Sequence, residues 1–205
     1  MNNKRKKLLA IGGIIIVVIV TGIILSKEYN EKQYEKTLIQ TSENLISLGV
    51  DAEKVTNNYI SLWNGIIEYK SGSEWTRPYM ANWIGIDQND FVNNTSPLEF
   101  SDRAIGFNDV LQCYKNYNVN KGVDKDFSNR MNNIEKSISE LNNPPSKFKA
   151  SYNALVDMYT NMNSFIGLAI EPSGSLVSYR NSTGELDSKI ISNYNIFKTQ
   201  LPKKN

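Results

Sequence analysis

The chain has 205 residues, with 23 basic and 21 acidic side chains, no histidine and one cysteine, Cys113. Zero histidines removes the commonest general base and metal ligand, and one cysteine excludes an intramolecular disulfide framework and the usual zinc constellations. Four basic residues, Lys4, Arg5, Lys6 and Lys7, cluster at the start, so the rest carries 19 basic against 21 acidic residues, a net of −2 that argues against nucleic-acid binding.

After this basic tail (residues 1–7), Leu8–Leu25 runs for about 18 residues without a charge and spans roughly 27 Å as a helix. It exceeds the apolar stretch of a cleaved signal peptide, and no A-x-A-like site or nearby cysteine follows. It reads as an uncleaved signal anchor, a single-pass transmembrane helix in the cell membrane. The positive-inside rule keeps residues 1–7 cytoplasmic and places the C-terminal domain outside the cytoplasm. Residues 26–37 are polar on all sides, with Glu28 and Lys32 at helical spacing, and predict a helical stalk.

A heptad then begins. Leu38, Leu45, Ala52, Tyr59 and Ile66 hold one position, and Leu48, Val55, Leu62 and Tyr69 the other. Ile39, Ile46, Ile60 and Ile67 widen the stripe towards the broader face of a bundle helix. A homodimer through a parallel coiled coil is the alternative use of the same stripe. Ser71-Gly72-Ser73 should end this helix. Glu74–Phe100 follows, irregular but crowded with aromatics, and should fold over the end of the bundle with a short helix near Pro78–Ile84.

Ser101 or Asp102 can cap a second long helix running to Leu141, with a kink or break where its phase slips around Asn118–Gly122. Ser146–Ile170 has the clearest pattern in the chain. Phe148, Leu155, Met162 and Ala169 recur every seven residues, and Tyr152, Tyr159 and Ile166 fall four after the first three. Pro144-Pro145 precedes this helix and Glu171-Pro172-Ser173-Gly174 ends it. Ser173 or Ser175 caps a last helix, with Leu176, Tyr179, Thr183, Leu186, Ile190, Tyr194, Phe197 and Leu201 inward, before a frayed tail at 202–205. Almost no β signal competes. The expected fold is all-α: an up-and-down helical bundle over 38–201, on a stalk and a transmembrane helix.

The search for chemistry is mostly negative. The carboxylate pairs Asp87/Asp90, Asp124/Asp126 and Glu185/Asp187 sit in turn-like or polar-face settings and read as solvated surface. Ser146-Lys147-Phe148-Lys149 matches S-x-x-K without its partner motifs. Asn116, Asn118 and Asn120 imitate part of an EF-hand loop, but Gly122 falls one position late and Phe127 stands where a bidentate Glu is needed. Trp63-Asn64-Gly65 matches the W-x-G turn signature of small secreted helical-hairpin proteins, yet lies inside a continuing heptad. No cofactor and no metal site is expected, and Cys113 reads as a small buried side chain.

A broader ordered set comprises Trp63-Asn64-x-Ile66, Phe107-Asn108, Leu141-x-x-Pro144-Pro145, Tyr152-x-x-Leu155-x-x-x-Tyr159 and Pro172-Ser173-Gly174-Ser175-Leu176. It resembles an uncharacterised family of small, helical, mostly membrane- or lipid-anchored surface proteins of Gram-positive bacteria. The likeness covers about residues 55 to 200 and departs at Gly106, where the family carries Asp. It implies a bacterial extracytoplasmic domain and no particular activity. The sequence therefore predicts a non-enzymatic protein, integral to the lipid bilayer, that binds a protein or a cell-envelope component. The alternative is an extracytoplasmic sensor head acting through a membrane partner. The candidate partner-binding residues are Trp75, Tyr79 and Trp83, because exposed tryptophan and tyrosine dominate interface hot spots. The competing role for the same three rings is to plug the open end of the bundle.

Overall fold

The computed structural model describes residues 3–68, 75–95 and 107–203, with side chains described over 26–68, 75–95 and 108–203. Among the described residues the protein is all helical, with no strand. Helix α1 (Asn3–Glu68) is continuous over 66 residues, about 100 Å at 1.5 Å per residue. Two short helices, α2 (Arg77–Trp83) and α3 (Gln88–Asn93), precede α4 (Phe107–Asn120) and α5 (Val123–Glu140). Helices α6 (Lys149–Ile170) and α7 (Leu176–Gln200) complete the chain. The expected helix end at Ser71–Ser73, Tyr69, and the expected caps Ser101 and Asp102 lie outside the described residues.

The bundle is up-and-down. α1 ascends, α4 and α5 descend, α6 ascends and α7 descends. At the lower end Tyr34 donates its hydroxyl proton to the Leu141 carbonyl at 2.8 Å, and its ring tilts against Phe148 at 5.3 Å. Lys147 pairs with Glu31 there at 2.6 Å. Packing therefore begins within the stretch expected to be stalk. Burial pushes the Tyr34 phenol up to about 12. At the upper end Tyr179 of α7 meets Tyr59 and Trp63 of α1.

α1 and α6 pack along a seam in which a glycine allows close approach. A Cβ on Gly49 of α1 would lie 2.9 Å from the Met162 methyl of α6, and the small side chains Ala52, Ser151 and Ala154 of the same two helices are buried. Buried hydroxyls fold back on their own helices. Thr41 donates to the Thr37 carbonyl at 2.8 Å, Ser42 to Ile39 at 2.7 Å, and Ser151 to Phe148 at 3.1 Å. Each polar group thus enters the core with its partner already in place.

The helix ends have identifiable causes. The expected break falls where it should: Gly122 adopts φ +72°, a left-handed conformation that costs little without a Cβ, and separates α4 from α5. After Pro145, residues 146–148 form a 3-10 turn that leads into α6. Ser175 caps α7 with a reciprocal Ser175–Ser178 capping box.

One face needs correction. On α6 the buried set is Ser151, Ala154, Leu155, Met158, Met162, Phe165, Ile166 and Ala169. Tyr152 and Tyr159, expected in the core, are half-buried at its edge. Two apolar series, at +3 and at +4 from the heptad position, compete on this helix. The +3 positions Ser151, Met158 and Phe165 are buried together with Ile166 of the +4 series, while the two tyrosines are left at the edge. Similarly Ile67 of α1 is exposed, while Ile39, Ile46 and Ile60 are partly buried.

Among the described residues no helix is long and apolar enough to cross a membrane. The run Leu8–Leu25 lies outside the residues whose side chains are described, although its backbone belongs to α1.

Candidate functional site

The upper end of the bundle is built by α2 and α3, and it gathers the three aromatic residues singled out from the sequence. Thr76 caps α2 by accepting from the Tyr79 amide at 3.3 Å, and Pro78 sits in the first turn where no N–H is needed. Tyr79 and Trp83 lie one turn apart on α2, and Trp75, just before the Thr76 cap, packs its ring against both. Their centroids are 5.2 Å apart for Trp75–Tyr79, 5.7 Å for Trp75–Trp83 and 6.0 Å for Tyr79–Trp83.

Gly65 of α1 receives this cluster. A Cβ there would stand 2.6 Å from the Trp75 ring and 3.0 Å from the Trp83 ring. The Trp83 indole N–H donates to the Ser61 carbonyl at 3.0 Å, a turn below. Trp75 is only 2% exposed, whereas Tyr79 and Trp83 are half-buried. Trp75 is thus a plug in a glycine notch, and Tyr79 and Trp83 are the members of the cluster that also reach solvent. The W-N-G tripeptide is helical, as its place within a continuing heptad indicated, and its glycine is used for close approach.

α3 was not foreseen. Asp87 caps it by accepting from the Asp90 amide at 2.8 Å. Phe91 is fully buried and stacks on Tyr117 of α4 at 5.0 Å. Arg77 of α2 is 9% exposed and donates to the Val92 and Thr95 carbonyls at 3.1 and 2.9 Å, so a cation meets the C-terminal end of α3. Asp90 accepts from the Tyr117 hydroxyl at 2.7 Å and from Lys121 at 2.9 Å. Hydrogen bonding to Lys121, then to Tyr117, holds the Asp90 carboxyl below its ordinary range. Burial, then the facing carboxylate, pushes the Tyr117 phenol up. Asp87 and Asp90 lie at the surface, as the sequence indicated, and there one is a helix cap and the other a tie between helices. The signal was the D-x-x-D spacing, which puts a capping carboxylate three residues before an acid in the first turn.

Asp51 and Asp126 make inter-residue ties as well. Arg130 bridges Asp51 of α1 at 2.6 Å and Asp126 at 3.3 Å, and its second nitrogen donates to Ser47 at 3.2 Å. This fork lines an open cleft of about 420 Å³ together with Asn44, Asn133 and Ile134. Glu185 pairs with Lys189 at 2.6 Å on the surface of α7. Asp124 is raised by burial, which the nearby Lys115 opposes. Lys115 in turn pairs with Glu171 at the end of α6. Asn116, Asn118 and Asn120 belong to a helix rather than an ion-binding loop, with Asn118 buried. Ser146 and Lys147 open the 3-10 turn, whose Phe148 is in the core. Cys113 is buried, as expected. Among the described residues no group of three or more acidic or cysteine side chains is placed to hold a metal ion. Compared with protein-family models, curated proteins and solved structures, the chain matches none of them.

Proposed function

We propose that this protein is a membrane-anchored, extracytoplasmic helical bundle that binds a protein or cell-envelope component without carrying out chemistry. The observation that carries this reading is the continuity of α1. The helix that includes the uncharged run Leu8–Leu25 continues without a break into the heart of the bundle, ending beside the aromatic cluster. An anchor and a head on one helix place the Tyr79/Trp83 end farthest from the bilayer. The ordered motifs, read as resembling those of anchored Gram-positive surface proteins, agree with this proposal. The same continuity favours a second reading, a sensor head that passes a shift of α1 to a partner in the membrane.

Both readings require the bundle outside the cell. Protease added to intact protoplasts should remove the bundle and leave a short membrane-embedded fragment, and a photo-crosslinker at Tyr79 should trap an envelope component that one at Asn153 does not. A bundle protected from protease, or a mature chain beginning at Lys27, would overturn the anchored topology. Equal capture at the two positions would overturn the aromatic end as the binding face.

A further inference from the structure

The flank where α5 lies against α1 carries a polar cleft, separate from the Tyr79/Trp83 cluster. Asn44, Ser47 and Asp51 share one face of α1, and Asp126, Arg130 and Asn133 share one face of α5, by their spacing of three and four residues. Asn44, Ser47, Asp51, Arg130 and Asn133 line an open cleft of about 420 Å³, and Ile134, 2% exposed, supplies the apolar part of its lining. Arg130 organises the site. Its Nη1 donates to Asp51 at 2.6 Å and to Asp126 at 3.3 Å, and its Nη2 donates to Ser47 at 3.2 Å. Three of the five guanidinium N–H donors are thereby used, and the planar fork is held in one orientation with two donors left over. Gln40 donates to Asn44 Oδ1 at 3.2 Å, which leaves the Asn44 N–H groups as donors.

These groups select among ligands. Arg130, Asp51 and Asp126 together carry a charge of −1. An anion would meet a guanidinium already neutralised by one carboxylate and opposed by a second. A peptide needs apolar pockets for its side chains, and Ile134 is the one apolar side chain among the described residues of the lining. Amide and guanidinium donors stand beside carboxylate and hydroxyl acceptors. A hydroxyl group both donates and accepts, so adjacent hydroxyls on one ligand can satisfy both kinds at neighbouring atoms. We propose that this cleft binds a neutral oligosaccharide, with Arg130, Asn44 and Asn133 donating to its hydroxyls and Asp51 accepting from them. The volume lies within the range of small-ligand sites, and the fork is ordered before the ligand arrives, which lowers the entropic cost of binding.

The test is NMR of the asparagine side-chain amides in the full-length chain, kept in lauryldimethylamine oxide because a glycoside detergent would compete. The probes are N-acetylglucosamine, its tetramer chitotetraose, inorganic phosphate and N-acetyl-tetra-alanine amide. Saturable shifts of the Asn44 and Asn133 amides with the sugars alone are expected. Affinity that rises from monomer to tetramer supports the proposal with a polymeric glycan as the source, and equal affinity supports it with a free sugar. Asn133 is exposed, so Asn133→Leu should keep the thermal midpoint while weakening sugar binding roughly tenfold. Asn44→Ala, on the facing helix, should do the same and serves if the first variant fails to fold. Absence of a shift with either sugar, shifts with phosphate or the peptide instead, or sugar binding unchanged in the folded variants overturns the proposal. None of these outcomes depends on the topology of the anchor or on the aromatic end.

Discussion

The α1–α6 seam and the α2–α3 end use opposite means to hold helices together. Along the seam, long helices bury Leu45, Leu48, Leu155 and Met162, and the hydroxyls among them return to their own backbones. At the upper end, helices of seven and six residues are too short to be stable alone or to bury much surface. There the ties are directional and run between elements: Arg77 to Val92 and Thr95, Trp83 to Ser61, Tyr117 to Asp90, and Asn120 to Asn94 at 2.9 Å. Packing over many residues tolerates local error, whereas a few bonds fix geometry at the risk of coming apart together. The seam should therefore define global stability, and the upper end should open as a unit below it.

The largest test of this contrast lies in the seam. Leu155 is fully buried on the face of α6 that meets the rest of the core, so Leu155→Ala should cost about 2–5 kcal/mol of unfolding free energy. Because α6 packs against α1, α5 and α7, amide exchange should speed up in these four helices together. Loss of protection confined to α6 would show that the bundle is not one cooperative unit.

A smaller and more local effect is expected at Arg77. Replacing it with Met keeps most of the apolar stem but leaves the Val92 and Thr95 carbonyls without their cation, at a cost of about 1–3 kcal/mol. Hydrogen exchange should quicken in α2 and α3, while the thermal midpoint of the long helices changes little. If the whole bundle loses stability in parallel, the upper end is part of the core rather than a separable cap.

The same contrast explains which features were legible in the sequence. Heptads at Leu38–Leu62 and Phe148–Ala169 reported the long helices because packing against several neighbours imposes a period on many residues. Gly122 reported the break because a left-handed backbone selects for glycine. Thr41, Ser42, Thr56 and Ser151 are in the core, but hydrophobic periodicity cannot see a hydroxyl satisfied at short range. At the upper end, a short helix near Pro78–Ile84 could be read from its proline and aromatics, and α2 is there. α3 could not. Its six residues have only Phe91 buried, and its position rests on Arg77, Tyr117 and Lys121, far away in sequence. The three aromatic residues were correctly grouped, but only the structure separates Trp75, locked against Gly65, from the half-buried Tyr79 and Trp83.

The smallest expected effect concerns the tie between α3 and α4. Asp90 is ionised in its bonds to Lys121 and Tyr117, and its carboxyl titrates below the ordinary aspartate range in the folded protein. Its unfolded counterpart titrates near pH ~3.9. A depressed folded value means that the contribution is complete above the unfolded pKa and disappears as pH falls through the folded one. Protection of the α3 amides should accordingly decline in acid, below the ordinary aspartate range, in excess of any change in α6. Asp90→Asn keeps an acceptor for the Tyr117 hydroxyl but not the charge facing Lys121. The variant should show slightly weaker α3 protection at neutral pH and no such excess decline in acid. Solvent screens an exposed pair of this kind, so added salt should narrow the difference between native and variant at neutral pH. If both chains follow the same acid profile, Asp90 is not what holds α3 to α4, and the stacking of Phe91 on Tyr117 carries the contact alone.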